Sequence, residues 1–455
     1  MNPHEDAKAI FRAALDRIDP MPMIERAFSL ERGNNGDRLV VRTDVEETCI
    51  ELPEGGRVFA TGMGKASARM ALGLEKVLGD RLSGGLVAVK ENHVEALRKV
   101  RLIEAGHPIP DSRSEKAANA ILNLGASLGT VLTDRDLVIV LVSGGGSAIL
   151  CAPAEGLTLS DKKRTTALLL SCGATINEIN CVRKHLSAVK GGCLAAALFP
   201  ARILALVLSD VVGDDLDVIA SGPTVPDPTT FADAFEIVQR YGIESKLPNS
   251  IAERLKKGMA GMLPETPKPG DAAFANTRIV LVGTNRYALA AAKSEAERRG
   301  YNSLILSSRI TGEAREIALV HLGIGKDIAA SGFPLKRPAC IIAGGETTVT
   351  KRGKGKGGRN QEMALAFLSA LGRVPKLGEG LVFLSAGTDG SDGPTDAAGA
   401  LVDLALYRNA REAGLELEAS LADNDSYNFF SKAGGLIKTG PTNTNVCDIQ
   451  ILLVN

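Results

Sequence analysis

The stretch LVIVLVSGGGSA at positions 137–148 decides the fold. Six aliphatic residues without polar alternation read as a strand buried on both faces, the signature of a parallel sheet covered by helices. The next five, Ser143, Gly144, Gly145, Gly146 and Ser147, form a turn whose small side chains let backbone N–H groups approach an anion while the serines donate hydrogen bonds. A tight strand-to-helix turn with no ligand is the plainer alternative. In open α/β sheets the ligand crevice lies beyond the carboxyl ends of the strands, so the loop after each apolar run is where chemistry is sought.

Similar runs at 57–61, 86–89 and 203–208 alternate with helical apolar spacing at 65–78, 114–124 and 161–170. This repeated β-α unit predicts a Rossmann-like, doubly wound, mostly parallel sheet. Before it, 1–20 reads as an amphipathic helix with Ile10, Phe11, Ala14, Leu15 and Ile18 on one side. Pro264, Pro267, Pro269 and Gly270 break all periodicity, which places a linker at 259–276 between an N-terminal domain, 1–258, and a C-terminal one, 277–455. Strand-like runs at 278–282, 303–307, 339–343, 381–385 and 449–454 make the second, smaller domain α/β as well.

A chain of 455 residues is long enough for two such domains. Aromatic residues are only 4% and Trp is absent, which suits aliphatic sheets and offers no stacking platform for single-stranded nucleic acid. Lys plus Arg and Asp plus Glu both number 53, so no net field draws the protein to nucleic acid or to a membrane, and any phosphate must be held by local groups. Cys49, Cys151, Cys172, Cys181, Cys193, Cys340 and Cys447 never form CxxC, the pattern of reduced thiols in a cytoplasmic enzyme. No secretory signal opens the chain and every apolar run is strand-length. Monomer and homodimer are both compatible with this composition.

The polar motifs fall where the crevice should be. GMGKAS at 62–67 offers Lys65 at a helix start, where its ammonium meets the positive end of the dipole unless an anion offsets both. The loop is not a Walker A, whose first glycine would stand at the position of Phe59. Asp210 and Asp214 follow the run at 203–208 and suit Mg²⁺, although capping explains Asp215 and Asp217 equally well. GGRNQE at 357–362 presents Arg359, again at a helix start, as a guanidinium able to clamp a phosphoryl group or carboxylate. GTDGSDGPTD at 387–396 adds Asp389 and Asp392 as metal candidates, against plain turn chemistry. Between 177 and 190 lie Asn180, Arg183, Lys184 and Lys190, with His185 as a conceivable base or a structural imidazole.

Taken together the motifs resemble the glycerate 2-kinase family, the group with a MOFRL-type C-terminal domain, some of whose members have been called hydroxypyruvate reductase. The resemblance covers essentially the whole chain. It runs through GMGKAS, GHPIPD (106–111), SGGGSA, NEINCVRKHLSAVKGG (177–192), SDVVGDDLDVIASGPTVPDP (209–228), GGETTV (344–349), GGRNQE, GTDGSDGPTDAAGA (387–400) and TGPTNTNVCD (439–448). It implies transfer of the ATP γ-phosphoryl group to the 2-hydroxyl of D-glycerate, with Mg²⁺, and catalytic importance for Lys65 and Arg359. The expected site lies in the inter-domain cleft. There the 143–147 loop, Lys190, Gly345 and Glu346 meet nucleotide phosphates, and Gly64, Asn180, Arg183, Lys184, Asn360 and Glu362 meet substrate. Replacing Lys65 or Arg359 by Ala is expected to lower turnover and leave folding intact.

Two other readings compete. An NAD(P)-dependent hydroxypyruvate reductase would share the sheet, yet Ser67 stands where the dinucleotide fingerprint needs a small apolar residue, and no acidic residue closes the second strand at the expected distance. A non-catalytic hydroxy-acid or nucleotide-binding protein would show ligand-induced stabilisation without turnover.

Overall fold

The aliphatic runs become the inner strands of two sheets in a computed structural model that describes residues 2–33 and 36–455; Met1 of the expected first helix lies outside them. In chain order the strands are β1 (Phe28–Gly33), β2 (Gly36–Arg42), β3 (Glu47–Leu52), β4 (Val58–Met63), β5 (Leu82–Lys90), β6 (Val100–Ala105), β7 (Leu137–Val142) and β8 (Arg202–Leu208). They continue with β9 (Thr277–Gly283), β10 (Asn302–Ile310), β11 (Ala339–Gly345), β12 (Leu381–Gly387), β13 (Gly399–Asp403), β14 (Leu436–Ile437) and β15 (Asp448–Val454). Contacts group the chain into two compact units, one of 20–209 with 214–282, the other of 1–19, 210–213 and 283–455.

In the first unit the strand order is β6-β5-β4-β7-β8-β9. β6, β5, β4, β7 and β8 are parallel. Counted from β4 this is the order 3-2-1-4-5-6 of doubly wound dinucleotide-binding folds, whose direction of winding reverses between the first and fourth strands, here β4 and β7. Both are buried along their whole length, β7 as its unbroken aliphatic sequence requires and β4 with Thr61 Oγ1 satisfied by Leu86 O (2.8 Å). Helices Ser67–Leu78, Ser112–Leu122 and Leu159–Ser171 form near the positions expected, the last two opened by capping boxes at Asp111 and Thr158.

The run at 278–282, read from sequence as the start of the second domain, instead forms β9 at the edge of the first sheet. The proline-rich segment before it is tied down: Asp227 donates its N–H to Pro267 O (2.9 Å), and Thr266 Oγ1 donates to Asp227 Oδ2 (2.9 Å). The antiparallel sheet β1-β2-β3 was not foreseen, because charged residues interrupt β1 and β3 and the aliphatic stretch of β2, Leu39 to Val41, is only three residues long between Arg38 and Arg42.

The second unit has order β10-β11-β15-β12-β13-β14. β15 runs antiparallel to both β11 and β12, with Asp448 in register with Gly345 on one side and Gly387 on the other. The amino end of β15 therefore shares an edge with the carboxyl ends of two motif-bearing strands. The helix Pro3–Arg17 belongs to this unit, where Asp6 accepts from Arg299 and from Tyr301 Oη. Helix Arg359–Gly372 is buried almost all round, as the apolar run Met363 to Leu368 demands, and its polar first turn, Asn360, Gln361 and Glu362, is buried with it. No helix among the described residues is long and apolar enough to cross a membrane.

Gly62 in β4 has φ +152°, and a Cβ there would stand 2.1 Å from the Leu141 carbonyl oxygen of β7. Gly62→Ala is expected to cost about 3 kcal/mol through this backbone clash. Urea unfolding checks it, and wild-type stability would show that β4 and β7 do not approach so closely.

Candidate active site

The loops after β4 and β7, at the point where the winding reverses, are stitched together by hydrogen bonds. Ser143 N donates to Met63 O (3.0 Å) and Lys65 N to Gly144 O (2.9 Å). Ser143 Oγ accepts from Ala66 N (3.1 Å) and lies 3.1 Å from Ser67 Oγ. Gly64 has φ +133°, and a Cβ there would stand 2.1 Å from Ser143 Oγ, so only glycine fits. Ser143 is thus committed to holding the loops, a role the phosphate reading did not anticipate. Gly145 takes a left-handed φ of +79° and Gly146 opens a short helical turn. Lys65 precedes helix Ser67–Leu78 by two residues, and among the described residues its half-buried ammonium has no hydrogen-bond or ion-pair partner.

Ser147 faces a different group of cations. Lys190 Nζ, buried, donates to Ser147 O (2.8 Å) and Oγ (2.7 Å), and Arg183 Nη2 donates to the same hydroxyl. With both lone pairs engaged, Ser147 directs its proton to Ser221 Oγ (3.1 Å), which in turn donates to Asn180 Oδ1 (3.0 Å). Neither cation has a carboxylate partner among the described residues. Burial drives the Lys190 amine well below its ordinary pKa, and Arg183 and Lys162 push it further against an opposing effect of Cys151. Burial also lowers Arg183. Lys162, whose Nζ donates to Ala152 O (3.1 Å), falls to about 8, chiefly through burial. Arg183 and Lys190 both lie within hydrogen-bonding reach of one oxygen, and unit charges about 5 Å apart repel by about 3 kcal/mol at an effective dielectric of 20. A fold keeps such an arrangement where an anion relieves it.

Lys184, from the same helix Ile176–His185, turns elsewhere: its buried ammonium pairs with Asp217 (3.1 Å) and Asp227 (3.4 Å). His185 is also committed, its Nδ1 to Cys181 O (2.8 Å) and its Nε2 to Glu265 (3.1 Å).

In the second unit Arg359 stands at the start of helix Arg359–Gly372, but its fork is already filled. Nε and Nη2 bind the two oxygens of Asp448 (2.6 and 2.9 Å) and Nη1 binds Glu346 (2.8 Å). Burial alone would lower its pKa; the bonds to Asp448 and the charge of Glu346 overcome this and raise it. The guanidinium read from sequence as able to clamp a phosphoryl group or carboxylate is thus already bound to two carboxylates of the protein. Asp448, fully buried, was missed because it ends a loop and opens a strand that reads as apolar; only the reversed direction of β15 delivers it here.

Glu346 is pushed up in pKa by burial and, against Arg359, by the charges of Asp448, Asp210 and Asp389, so four carboxylates crowd this edge. Asp210 belongs to this unit, and its carbonyl accepts from Cys447 Sγ (3.2 Å); Asp214, with φ +62°, belongs to the other unit. Asp389 accepts from Ser391 N (3.0 Å). Asp392 caps the helix, accepting from Asn360 N (3.1 Å) and Gln361 N (2.8 Å), and burial raises it to about 6. Asn360 accepts from Ser385 Oγ (2.7 Å), and Glu362 is held by Arg315 and by Asn424 Nδ2 (3.0 Å). Gly345, φ +141°, leaves no room beside Ile310 O. Asp392, Asn360 and Glu362 thus hold the frame around Arg359. No trio of His, Cys, Asp or Glu among the described residues is arranged to hold a metal ion.

A doubly wound sheet with unpaired cations at its winding reversal, joined in one chain to a mixed sheet with crowded carboxylates, defines an α/β protein built to handle a small anionic molecule. Residues 6–256 match a family described as a domain of unknown function (DUF4147), and 339–448 match the MOFRL family. The chain is 43% identical to glycerate 2-kinase from Pyrococcus horikoshii, over 88% of each chain. It is 44% identical to a putative hydroxypyruvate reductase from Agrobacterium vitis, over 89% of each. The crystal structure of glycerate kinase from Thermotoga maritima superposes with a TM-score of 0.85 at 39% identity, covering 99% of both chains. The chain belongs to the glycerate 2-kinase family of the MOFRL type.

Opposite stability effects are expected at two of the cations. Against the sequence expectation that folding would stay intact, Arg359→Ala strands the buried Asp448 carboxylate and should destabilise by about 3 to 5 kcal/mol. Lys190→Met removes a buried charge without an acid partner and should hold or raise the melting temperature. Thermal unfolding of the two variants checks both signs.

Proposed function

We propose that this protein transfers the γ-phosphoryl group of ATP to the 2-hydroxyl of D-glycerate, giving 2-phospho-D-glycerate and ADP. The observation that carries the reading is the group of buried cations without acid partners around Ser147, at the loops where the winding reverses. It suits an anionic substrate, and relatives named as glycerate kinases supply the chemical class. Backbone N–H groups of Gly144 and Gly145, with Lys190, would cradle phosphate, the Gly146 N–H being taken by Ser143 O (3.2 Å); Gly64, Asn180 and Arg183 would position glycerate, with Lys184 fixing their helix. Lys65 and Arg359 are the catalytic cations of the proposal, Lys65 as a direct charge and Arg359 through its Nη1 side, where a phosphoryl oxygen would take the place of Glu346. In phosphoryl transfer, positioning and charge stabilisation supply most of the acceleration.

Mg²⁺ fits the second unit better than the first. The charges of Asp210 and Asp389 reach Glu346, whereas Asp392 is engaged as a cap. One or two carboxylates suffice for Mg²⁺, which would neutralise charge on the phosphate oxygens when bound. In the proposed scheme the unit that holds the doubly wound sheet, β9 included, is the kinase domain, and the MOFRL-type domain lies in the unit that holds 283–455. The reaction is assigned to the cytoplasm, in keeping with seven free thiols.

The reductase reading draws support from the name of the Agrobacterium vitis relative. Against it, β5 ends in Lys90 where dinucleotide-binding folds place an acid, and Glu91 beside it pairs with Arg113 (3.1 Å). Incubation with ATP, Mg²⁺ and D-glycerate should yield the 2-phosphate rather than the 3-phosphate, with no NADH oxidation on hydroxypyruvate. The opposite pattern rejects the kinase. Lys65→Ala should lower kcat by at least about a hundredfold at unchanged melting temperature, because the ammonium supports nothing in the fold.

A further inference from the structure

The motif GHPIPD follows β6, and its last residue serves the fold: Asp111 caps helix Ser112–Leu122, accepting from Arg113 N (2.9 Å) and Ser114 N (3.2 Å). His107 does not. Its ring lies against the backbone of the 143–147 loop, so that a Cβ on Gly145 would stand 2.8 Å from Cδ2 and 2.9 Å from Nε2. Neither ring nitrogen has a hydrogen-bond partner among the described residues.

Strands β4, β5 and β6 are parallel neighbours, so their carboxyl ends bring Lys65, Lys90 and His107 to one edge, and β7 brings the glycine loop beside them. His93 joins them through a turn in which its N–H donates to Lys90 O (2.9 Å). The acids of this region are engaged elsewhere: Glu91 with Arg113 (3.1 Å), Glu95 with Arg69 (3.3 Å), and Glu104 with Asn92 N (2.7 Å). Burial, then the charges of Lys65, Lys90 and His93, press the His107 imidazole down to about 4. His93 is lowered by burial first and by Lys90 and Lys65 after. Two imidazoles lowered beside two ammonium groups, with the nearby acids paired elsewhere, form a field awaiting an anion.

We infer that Lys90, His93 and His107 form with Lys65 a second anion subsite, on the other flank of the 143–147 loop from Ser147, which holds a phosphate chain. Its identification with the phosphates of the nucleotide rests on the kinase reading. A chain of phosphates is favoured over a carboxylate by the count of cations. Two ammonium groups, with two imidazoles beside them that a bound polyanion would protonate, exceed what one negative charge needs, whereas Arg183 and Lys190 already offer a compact place for a single small anion. A polyanion would restore the proton of His107, which faces Lys65, Lys90, His93 and the backbone of Gly145, so binding should take up protons near neutral pH.

Isothermal titration calorimetry of the full chain with inorganic tripolyphosphate, with ADP and with D-glycerate tests this, run in two buffers of different ionisation heat. Tripolyphosphate and ADP should bind with proton uptake. Lys90→Met and His107→Gln should each weaken both by about tenfold, the scale of one charge-assisted hydrogen bond, while D-glycerate affinity stays within about twofold. Unchanged tripolyphosphate affinity in folded Lys90→Met, or a loss confined to D-glycerate, overturns the proposal. So does a wild-type protein that does not bind tripolyphosphate at all. The Lys90 variant guards against misfolding of the His107 variant, whose ring packs on the loop. Calorimetry needs no turnover, so variant-sensitive tripolyphosphate binding in a protein that makes no phosphoglycerate would retain the subsite and reject the kinase.

Discussion

The hydrogen bonds that lock the loop after β4 to the loop after β7 set every other feature of the first unit. Through Ser143 Oγ and the Gly144 carbonyl, two loops that could each wander are made into one rigid platform. The platform explains why Gly64 can carry no side chain, why Lys65 leaves at a fixed height, and why Gly145 meets the His107 ring. A loop stiffened in this way keeps its remaining N–H groups aimed before a ligand arrives, which reduces the ordering cost of binding.

Electrostatics differ sharply between the two units although the whole chain is neutral, with 53 groups of each sign. The first unit concentrates cations without acid partners at the carboxyl ends of its strands. The second gathers Asp210, Asp389, Asp448 and Glu346 around one guanidinium. Phosphoryl transfer needs both kinds of environment, one for the phosphate oxygens and one for a divalent cation that travels with them. Net charge conceals this division, because only local surplus acts on a small ligand in a crevice.

Much of this was legible in the sequence. The strands at 137–142 and 203–208 and the glycine loop announced themselves because fully buried parallel strands have no polar face to blur the pattern. Lys65 was visible too, as a cation set against a helix dipole. Other features depend on tertiary geometry that one sequence does not display. Asp448 looks like a turn residue until β15 is found running backwards between β11 and β12. Arg359 was placed correctly at a helix start, but its engagement by Asp448 and Glu346 follows from that same reversed strand. β1, β2 and β3 were invisible because charged residues interrupt them or bound a short aliphatic stretch, and β9 was misassigned because its proline-rich approach reads like a linker.

The depressed basic groups also have a common consequence. Lys190, Lys162 and His107 are all pressed toward their neutral forms, by burial first and by neighbouring cations after. A site built so does not carry its full positive charge in isolation, which limits the repulsion the fold must withstand. An approaching anion supplies the missing partner, raises each pKa, and draws protons onto the amines and the ring. Lys162, at about 8, keeps most of its charge near neutral pH, whereas His107, at about 4, is neutral there and has a proton to gain from an anion. Permanently charged, acid-paired residues in these places would hold the fold more firmly but would offer an incoming anion far less.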